Sequence, residues 1–197
     1  MLVCAKQTDL KMTPYFFGYG SLVNRNTHDY PDAHPAQLQG WHRAWVRCAG
    51  RDTVFLSVVR QAGTTIDGLI AAVPGSDWAA LDARETGYAR IGSGAAVSHP
   101  LADQPPVAHY AVPADTHVQT GDHVILLSYL DVVVQGFLRE FGEAGVTRFF
   151  ETTAGWHTPV LNDRADPRYP RAQRLGSDET ALVNDHLGAL NAAIVQP

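Results

Sequence analysis

A chain of 197 residues, 45% apolar and 18% charged, has the balance of a folded globular protein and not that of a disordered one. Its formal net charge of −5 lacks the basic surplus with which nucleic acids and anionic membranes are bound, so neither is expected as a partner. Cys4 and Cys48 stand far apart and in no Cys-x-x-Cys arrangement, which supports neither a redox pair nor a structural zinc site; a reducing cytoplasm is the expected compartment.

Residues 1–13 are polar and without periodicity, and are expected to form a loose arm. Leu2-Val3-Cys4-Ala5 is broken by Lys6, too short for a signal-peptide core. The longest apolar runs, such as 124–127, fall short of a membrane span. A single domain is expected over 14–197, a size that buries roughly 70% of its unfolded surface.

The first strand is expected at about 14–19. Phe16-Phe17-Gly18-Tyr19-Gly20-Ser21-Leu22 carries three aromatics and then stops at Gly20-Ser21. Glycine there lets the chain turn and lets a ligand approach the main chain. The N–H groups of Ser21, Leu22 and Val23 can turn inward together as a donor site for a carboxylate or phosphate. An ordinary strand-to-loop turn is the alternative reading of the same residues.

A loop or short helical turns follow over 24–35. A strand is expected over 37–47, with Leu38, Trp41, Trp45 and Val46 as its apolar members. Two β-branched runs, 54–60 and 66–73, are separated by Ala62-Gly63-Thr64 and predict a hairpin. Pro74-Gly75-Ser76 opens a helix to about Thr86, capped by Ser76 or Gly75, with Asp77 in the first turn and Gly87 as its stop. Further strands are expected within 88–99 and 106–113, across a loop at Gln104-Pro105-Pro106.

Beyond Asp122 the pattern turns helical. Ser128-Tyr129-Leu130-Asp131 reads as a capping box, and Leu130, Val134, Phe137, Leu138 and Phe141 form an apolar stripe. A second short helix is expected over 145–153, an irregular stretch over 155–175 and a closing helix over 178–194. Strands first and helices later give the α+β class, with a curled mixed sheet or barrel flanked by helices.

On the expected helix, Trp78, Leu81 and Glu85 lie within about 60° of one another. A carboxylate on that apolar face has its pKa raised by burial, and the helix's C-terminal end adds to the effect. The alternative is a surface ion pair of Glu85 with Arg84 or Arg90. Asp82, one turn earlier, reads as structural. The segment Asp163-Arg164-Ala165-Asp166-Pro167-Arg168-Tyr169-Pro170-Arg171 is either a solvated loop pinned by its own ion pairs or a clamp, because arginine forks bind carboxylates bidentately. The nine histidines show no metal spacing, so no metal is expected. Gly92-Ser93-Gly94 is no nucleotide fingerprint, and Ser21 lacks the surroundings of a nucleophile elbow.

Two strings carry a resemblance. Phe17-Gly18-Tyr19-Gly20-Ser21-Leu22 resembles the opening signature of the gamma-glutamylcyclotransferase family, and Leu81-Asp82-Ala83-Arg84-Glu85-Thr86-Gly87-Tyr88 resembles its Leu-Asp-x-x-Glu-Gly-Tyr segment, with Thr86 inserted before the glycine. Ile66-Asp67-Gly68-Leu69-Ile70 is similar to the family's strand with a central glycine, and Ser128-Tyr129-Leu130 to its later Tyr-Leu segment. The resemblance runs from about Tyr15 to Ser128.

It implies an α+β barrel that releases 5-oxoproline from a γ-glutamyl amide by intramolecular attack of the α-amine, with no cofactor. Glu85 would be the acid/base. The backbone at Gly20, Ser21 and Leu22 would hold the glutamyl end, Tyr19 is expected to pack within the sheet with its hydroxyl near the pocket, and Tyr129 would either donate a hydrogen bond to the substrate or pack at the helix start. Glutathione, a γ-glutamyl amino acid or a γ-glutamyl amine all fit as substrate, and the oligomeric state is open. A raised carboxylate pKa suits that chemistry. The substrate ammonium titrates near 8, so an unperturbed glutamate near 4.3 faces an uphill transfer of about 5 kcal/mol. At a pKa of about 6–7 the deficit falls to about 2 kcal/mol. The alternative reading is a non-catalytic γ-glutamyl or amino-acid binding module on the same fold.

Overall fold

The computed structural model describes residues 12–197, so the expected N-terminal arm lies, apart from Met12 and Thr13, outside the described residues. The centre of the sheet is β1 (Tyr15–Gly18), buried throughout. It pairs antiparallel with β3 (Phe55–Ala72) and parallel with β6 (Val107–Ala111). A strand with neighbours on both edges and cover on both faces requires apolar side chains in both directions, which Tyr15, Phe16 and Phe17 supply. Outward from this centre, β2 (His34–Val46) lies along β3, and β4 (Ala89–Gly92) closes the other edge on β6. The short β5 (Val97–Ser98) and β8 (Thr153–Ala154) attach to β2.

The expected hairpin at 54–73 is instead one strand of 18 residues. Both of its halves pair with β2: Phe55 to Arg60 against Val46 to Trp41, and Thr65 to Ile70 against Gln39 to His34. Ala62-Gly63-Thr64 is the irregularity between them, opposite Gly40, with φ of +76° at Gly40 and +79° at Gly63. Thr64 Oγ1 fastens it by donating towards the carbonyls of Trp41 (3.0 Å) and Gln61 (2.7 Å). The glycine that suggested a hairpin turn serves a bulge instead, because alternation along a strand does not name its partner. A bulge of this kind bends a strand and strengthens its twist, and here it curls the long pair into a half-barrel.

Helix α1 (Ala79–Arg84) is shorter than expected. Residues 74–76 form a separate tight turn with positive φ at Gly75 and Ser76, so neither caps the helix. Trp78 precedes the helix without a side-chain cap, and Asp77 Oδ1 accepts from the Ala79 N–H at 3.1 Å. Helix α2 (Leu127–Glu151) breaks at Gly142, where φ is +65°; its two limbs are the two helices expected from the sequence. The first limb is buried from Leu127 to Phe137 on nearly every side, because it fills the concave face of the sheet.

The expected capping box is absent. Ser128 lies inside α2, and its N–H and hydroxyl donate to Asp163 at 2.8 and 2.6 Å. Asp131 receives Arg164 instead. The irregular stretch holds β9 (Val160–Leu161), which runs parallel to β7 (Ile125–Leu126) and so brings Asp163 to the foot of α2. Helix α3 (Ser177–Ala189) stops short of 194, and Ile194 lies in β10 (Ile194–Val195), the outer neighbour of β9. Among the described residues, no helix is long and apolar enough to cross a membrane.

Candidate active site

The chain leaves β1 at Gly18 and makes a single tight turn at Ser21–Val23, closed by the Val23 N–H to the Gly20 carbonyl (2.9 Å) and the Asn24 N–H to the Ser21 carbonyl (3.1 Å). The first N–H groups of such a turn have no partner within it. That of Leu22 meets no acceptor among the described residues, and that of Ser21 approaches the Tyr129 hydroxyl. The Val23 N–H, expected as a third donor, is therefore spent on Gly20.

Two buried groups hold this turn from behind. Asn24 donates from Nδ2 to the Val132 carbonyl (2.9 Å) and Gln135 Oε1 (3.0 Å), tying the turn to α2. Arg43, with no exposed surface, donates from Nε to the Tyr19 carbonyl at 3.0 Å and from Nη1 to Thr152 Oγ1 at 2.9 Å, with Nη2 on the Asp67 carbonyl. Its guanidinium lies 4.8 Å from the centroid of Phe137 and 5.3 Å from that of Phe149. Burial away from any contacting carboxylate pulls its pKa down to about 9.

Glu85 reaches the turn from the other side. It is the residue just past α1, its N–H still bonded to the Leu81 carbonyl (3.0 Å) and its φ/ψ of −91°/39° already outside the helix. Gly87 then reverses the chain with φ of +97°. The Glu85 side chain keeps only 15% of its surface exposed, and Arg84 Nε stands 3.2 Å from its Oε1. Burial pushes the carboxyl pKa up, and the positive charges of Arg84 and Arg171 hold it back in part. Burial is the largest cause of that rise. The ion pair with Arg84, weighed above as a surface alternative, thus exists but is inside the cavity.

Arg84 is also what joins the two halves. It donates from Nη1 to the Thr27 carbonyl (2.7 Å) and from Nη2 to Thr27 Oγ1 (3.0 Å) and Ser21 Oγ (3.3 Å). The helix end is thereby locked onto the loop that follows β1. Asp82 takes no part: Tyr110 donates to it at 2.5 Å and Arg90 stands 3.6 Å away, on the outer side.

The result is a cavity of two lobes that meet at Ser21, Leu56, Glu85, Tyr88 and Tyr129. The inner lobe, about 30 Å³, is lined by Tyr19, Gly20, Ser21 and Leu22. The outer lobe, about 190 Å³, adds Trp45, Phe55, Leu126, Arg84, Tyr169 and Arg171. Every site residue expected from the sequence, Tyr19, Gly20, Ser21, Leu22, Glu85 and Tyr129, lies on one lobe or both.

Burial raises the pKa of Tyr19, Tyr88 and Tyr129, so all three are neutral hydroxyls. Tyr19 donates to the Tyr110 carbonyl (2.7 Å) and Tyr88 to the Leu56 carbonyl (3.0 Å). The Tyr129 hydroxyl has no acceptor among the described residues and is left free to donate into the cavity. Gly20 is required beneath it: a β-carbon there would stand 2.7 Å from that oxygen.

Arg84, Tyr88, Tyr169 and Arg43 were not expected in or behind the site. Arg84 and Tyr88 flank Glu85, and their sequence neighbourhood was the available signal. Nothing in the local sequence marks Tyr169 or Arg43, because their positions depend on the 163–171 loop and on the curl of β2. Of the three arginines in that loop, Arg171 lines the cavity, while Arg164 is committed to Asp131 at 2.6 and 2.7 Å. Among the described residues, no three His, Cys, Asp or Glu side chains cluster as metal ligands would.

Among solved structures, the chain is similar to a gamma-glutamyl cyclotransferase, with a TM-score of 0.56 and 13% identity over 87% of this chain and 98% of that one. It is similar to YkqA from Bacillus subtilis at a TM-score of 0.54 and 18% identity, covering 74% of this chain and 57% of YkqA. An uncharacterized protein from Homo sapiens matches at 0.53 and 13%, over 86% and 97% of the two chains. No protein-family model and no curated protein sequence matches the chain. The fold is that of the gamma-glutamyl cyclotransferases: an α+β half-barrel with a mixed, curled sheet, as expected.

Proposed function

We propose that this chain, with its gamma-glutamyl cyclotransferase fold, is a cyclotransferase that releases 5-oxoproline from a γ-glutamyl amide. The observation that carries the reading is the buried Glu85 carboxylate, its pKa raised, at the junction of two lobes of which one is lined by the Tyr19–Leu22 turn. The α-carboxylate of the glutamyl group enters the inner lobe, where the Leu22 N–H and the turn backbone meet it, and the rest of the group lies where the two lobes join. Glu85 takes a proton from the α-ammonium, and the freed amine attacks the γ-carbonyl carbon. A C–N bond closes the five-membered lactam, and the bond to the leaving nitrogen breaks as that nitrogen is protonated.

Over the whole reaction the α-nitrogen passes from ammonium to lactam N–H and the leaving nitrogen from amide N–H to ammonium. The proton count closes, with Glu85 returned to its starting state. Negative charge builds on the γ-carbonyl oxygen during attack, and the free Tyr129 hydroxyl is the group suited to receive it. Nucleophile and electrophile belong to one molecule, so the protein's task is to hold a reactive geometry, an effect that reaches about 7–11 kcal/mol in favourable cases. The test is a panel of γ-glutamyl amino acids, peptides and amines assayed for 5-oxoproline and free amine together. Equal amounts of both products from at least one of them are expected; release of glutamate, or binding without product from any of them, refutes the reading.

A further inference from the structure

The cavity contains two arginines in different states. Arg84 spends its guanidinium on Thr27, Ser21 and Glu85. Arg171, half-buried on the outer lobe, has no carboxylate within ion-pair distance and no side-chain hydrogen bond among the described residues. Glu85 shares the cavity with it but is already held by Arg84.

The loop that carries Arg171 is fixed before it arrives. Asp163, 1% exposed, accepts from the Ser128 N–H, the Ser128 hydroxyl and the Arg168 N–H (3.0 Å). The Tyr169 N–H reaches Ser128 Oγ at 3.3 Å, and Arg164 grips both Asp131 and Asn184 Oδ1 (2.8 Å). The Tyr169 ring stands edge-on to Tyr129 at 5.0 Å, and the Ala172 N–H turns back to the Tyr169 carbonyl at 3.1 Å. A guanidinium delivered on so constrained a turn has little loop entropy left to lose on binding. An unpaired planar fork in a half-buried cavity is the partner a carboxylate fits bidentately.

We propose that the outer lobe is a carboxylate-reading subsite in which Arg171 selects a leaving group that is an amino acid or short peptide over a simple amine. Trp45, Val54, Phe55 and Leu126 form the apolar wall beside it and would take that group's side chain. Calling the bound moiety a leaving group rests on the cyclotransferase reading; the recognition of its carboxylate does not. Asp163 acts at a distance, as a positioning residue for the turn.

The experiment compares γ-glutamyl-alanine with its C-terminal carboxamide, which differ by one charge, in both turnover and calorimetric binding. The unmodified protein is expected to favour the acid by about 10–100-fold, the worth of a charge-assisted hydrogen-bonded pair. In Arg171→Gln the ratio falls to about one, and Arg171→Lys, with charge but no fork, lies between. Removing Arg171 also removes a positive neighbour of Glu85, so the acidic limb of the rate profile moves to higher pH in Arg171→Gln, which a purely structural role would not produce. No preference in the unmodified protein, a preference that survives in Arg171→Gln, or binding of neither compound overturns the inference. An Arg171-dependent preference in binding without any turnover upholds it while refuting the cyclotransferase reading.

Discussion

At the scale of single residues, the chemistry depends on what each polar group is left free to do. Tyr19 and Tyr88 are satisfied by carbonyls, whereas Tyr129 keeps its proton for a ligand. Tyr129→Phe preserves the edge-on contacts with Trp45 (5.9 Å) and Tyr169 (5.0 Å) and removes the hydroxyl alone. It is expected to lower kcat for 5-oxoproline release by about 10²-fold, the usual cost of one oxyanion donor, with little change in the urea midpoint. Unchanged kcat would remove Tyr129 from the reaction. Glu85 was legible in the sequence because an acid sits at helical spacing from Trp78 and Leu81 within a string that resembles a known signature. Its partner Arg84 was legible only as a neighbour, since nothing local reveals that its fork turns back onto Thr27.

At the scale of elements, the turn after β1 works because three distant elements hold it: β2 through Arg43, α2 through Asn24 and α1 through Arg84. Asn24→Ala leaves Gln135 Oε1 and the Val132 carbonyl short of a buried donor and is expected to destabilise the fold by about 1–3 kcal/mol. Because the same side chain fixes the donor turn, substrate affinity should fall along with the urea midpoint. A loss of stability with affinity intact would separate the turn from substrate binding.

The elements were themselves legible where one stretch suffices, as for the buried first limb of α2 or the early strands. They were not legible where partnership decides. The two halves of β3 look like a hairpin because residues 62–64 are good turn formers, yet β2 offers a longer partner for both. Ser128 looks like a cap because its neighbours have the right types, yet Asp163, 35 residues on, takes its hydroxyl.

At the scale of the molecule, ionisable groups bury themselves in opposite senses. His109, 1% exposed beside Trp41, has its pKa lowered to about 4 by burial. A depressed histidine contributes stability that is complete above about pH 6.5 and is lost as pH falls towards 4, on the order of 3 kcal/mol in total. The urea midpoint is therefore expected to fall between pH 7 and 5, and the slope to flatten in His109→Asn whatever that variant's absolute stability. An unaltered slope would assign the acid sensitivity to another group. Glu85 has the reverse sign: its raised pKa contributes stability below the ordinary carboxylate range and loses it as pH rises through the folded value. Above that range the raised pKa is a cost to the fold, so Glu85→Gln is expected to be more stable than the unmodified protein at pH 7, with the gain fading on acidification.

That variant also carries the most direct test of the cyclotransferase reading. Glutamine keeps the shape of Glu85 and most of its hydrogen bonding but accepts no proton from the substrate ammonium. Turnover and affinity for one γ-glutamyl substrate are measured side by side in Glu85→Gln and in Asp82→Asn, the half-exposed carboxylate of α1 that pairs with Arg90. Glu85→Gln is expected to lose about 10²–10⁴ in the rate of 5-oxoproline release with affinity nearly unchanged, while Asp82→Asn retains most activity. Near-normal 5-oxoproline release by Glu85→Gln would contradict its role as the acid/base.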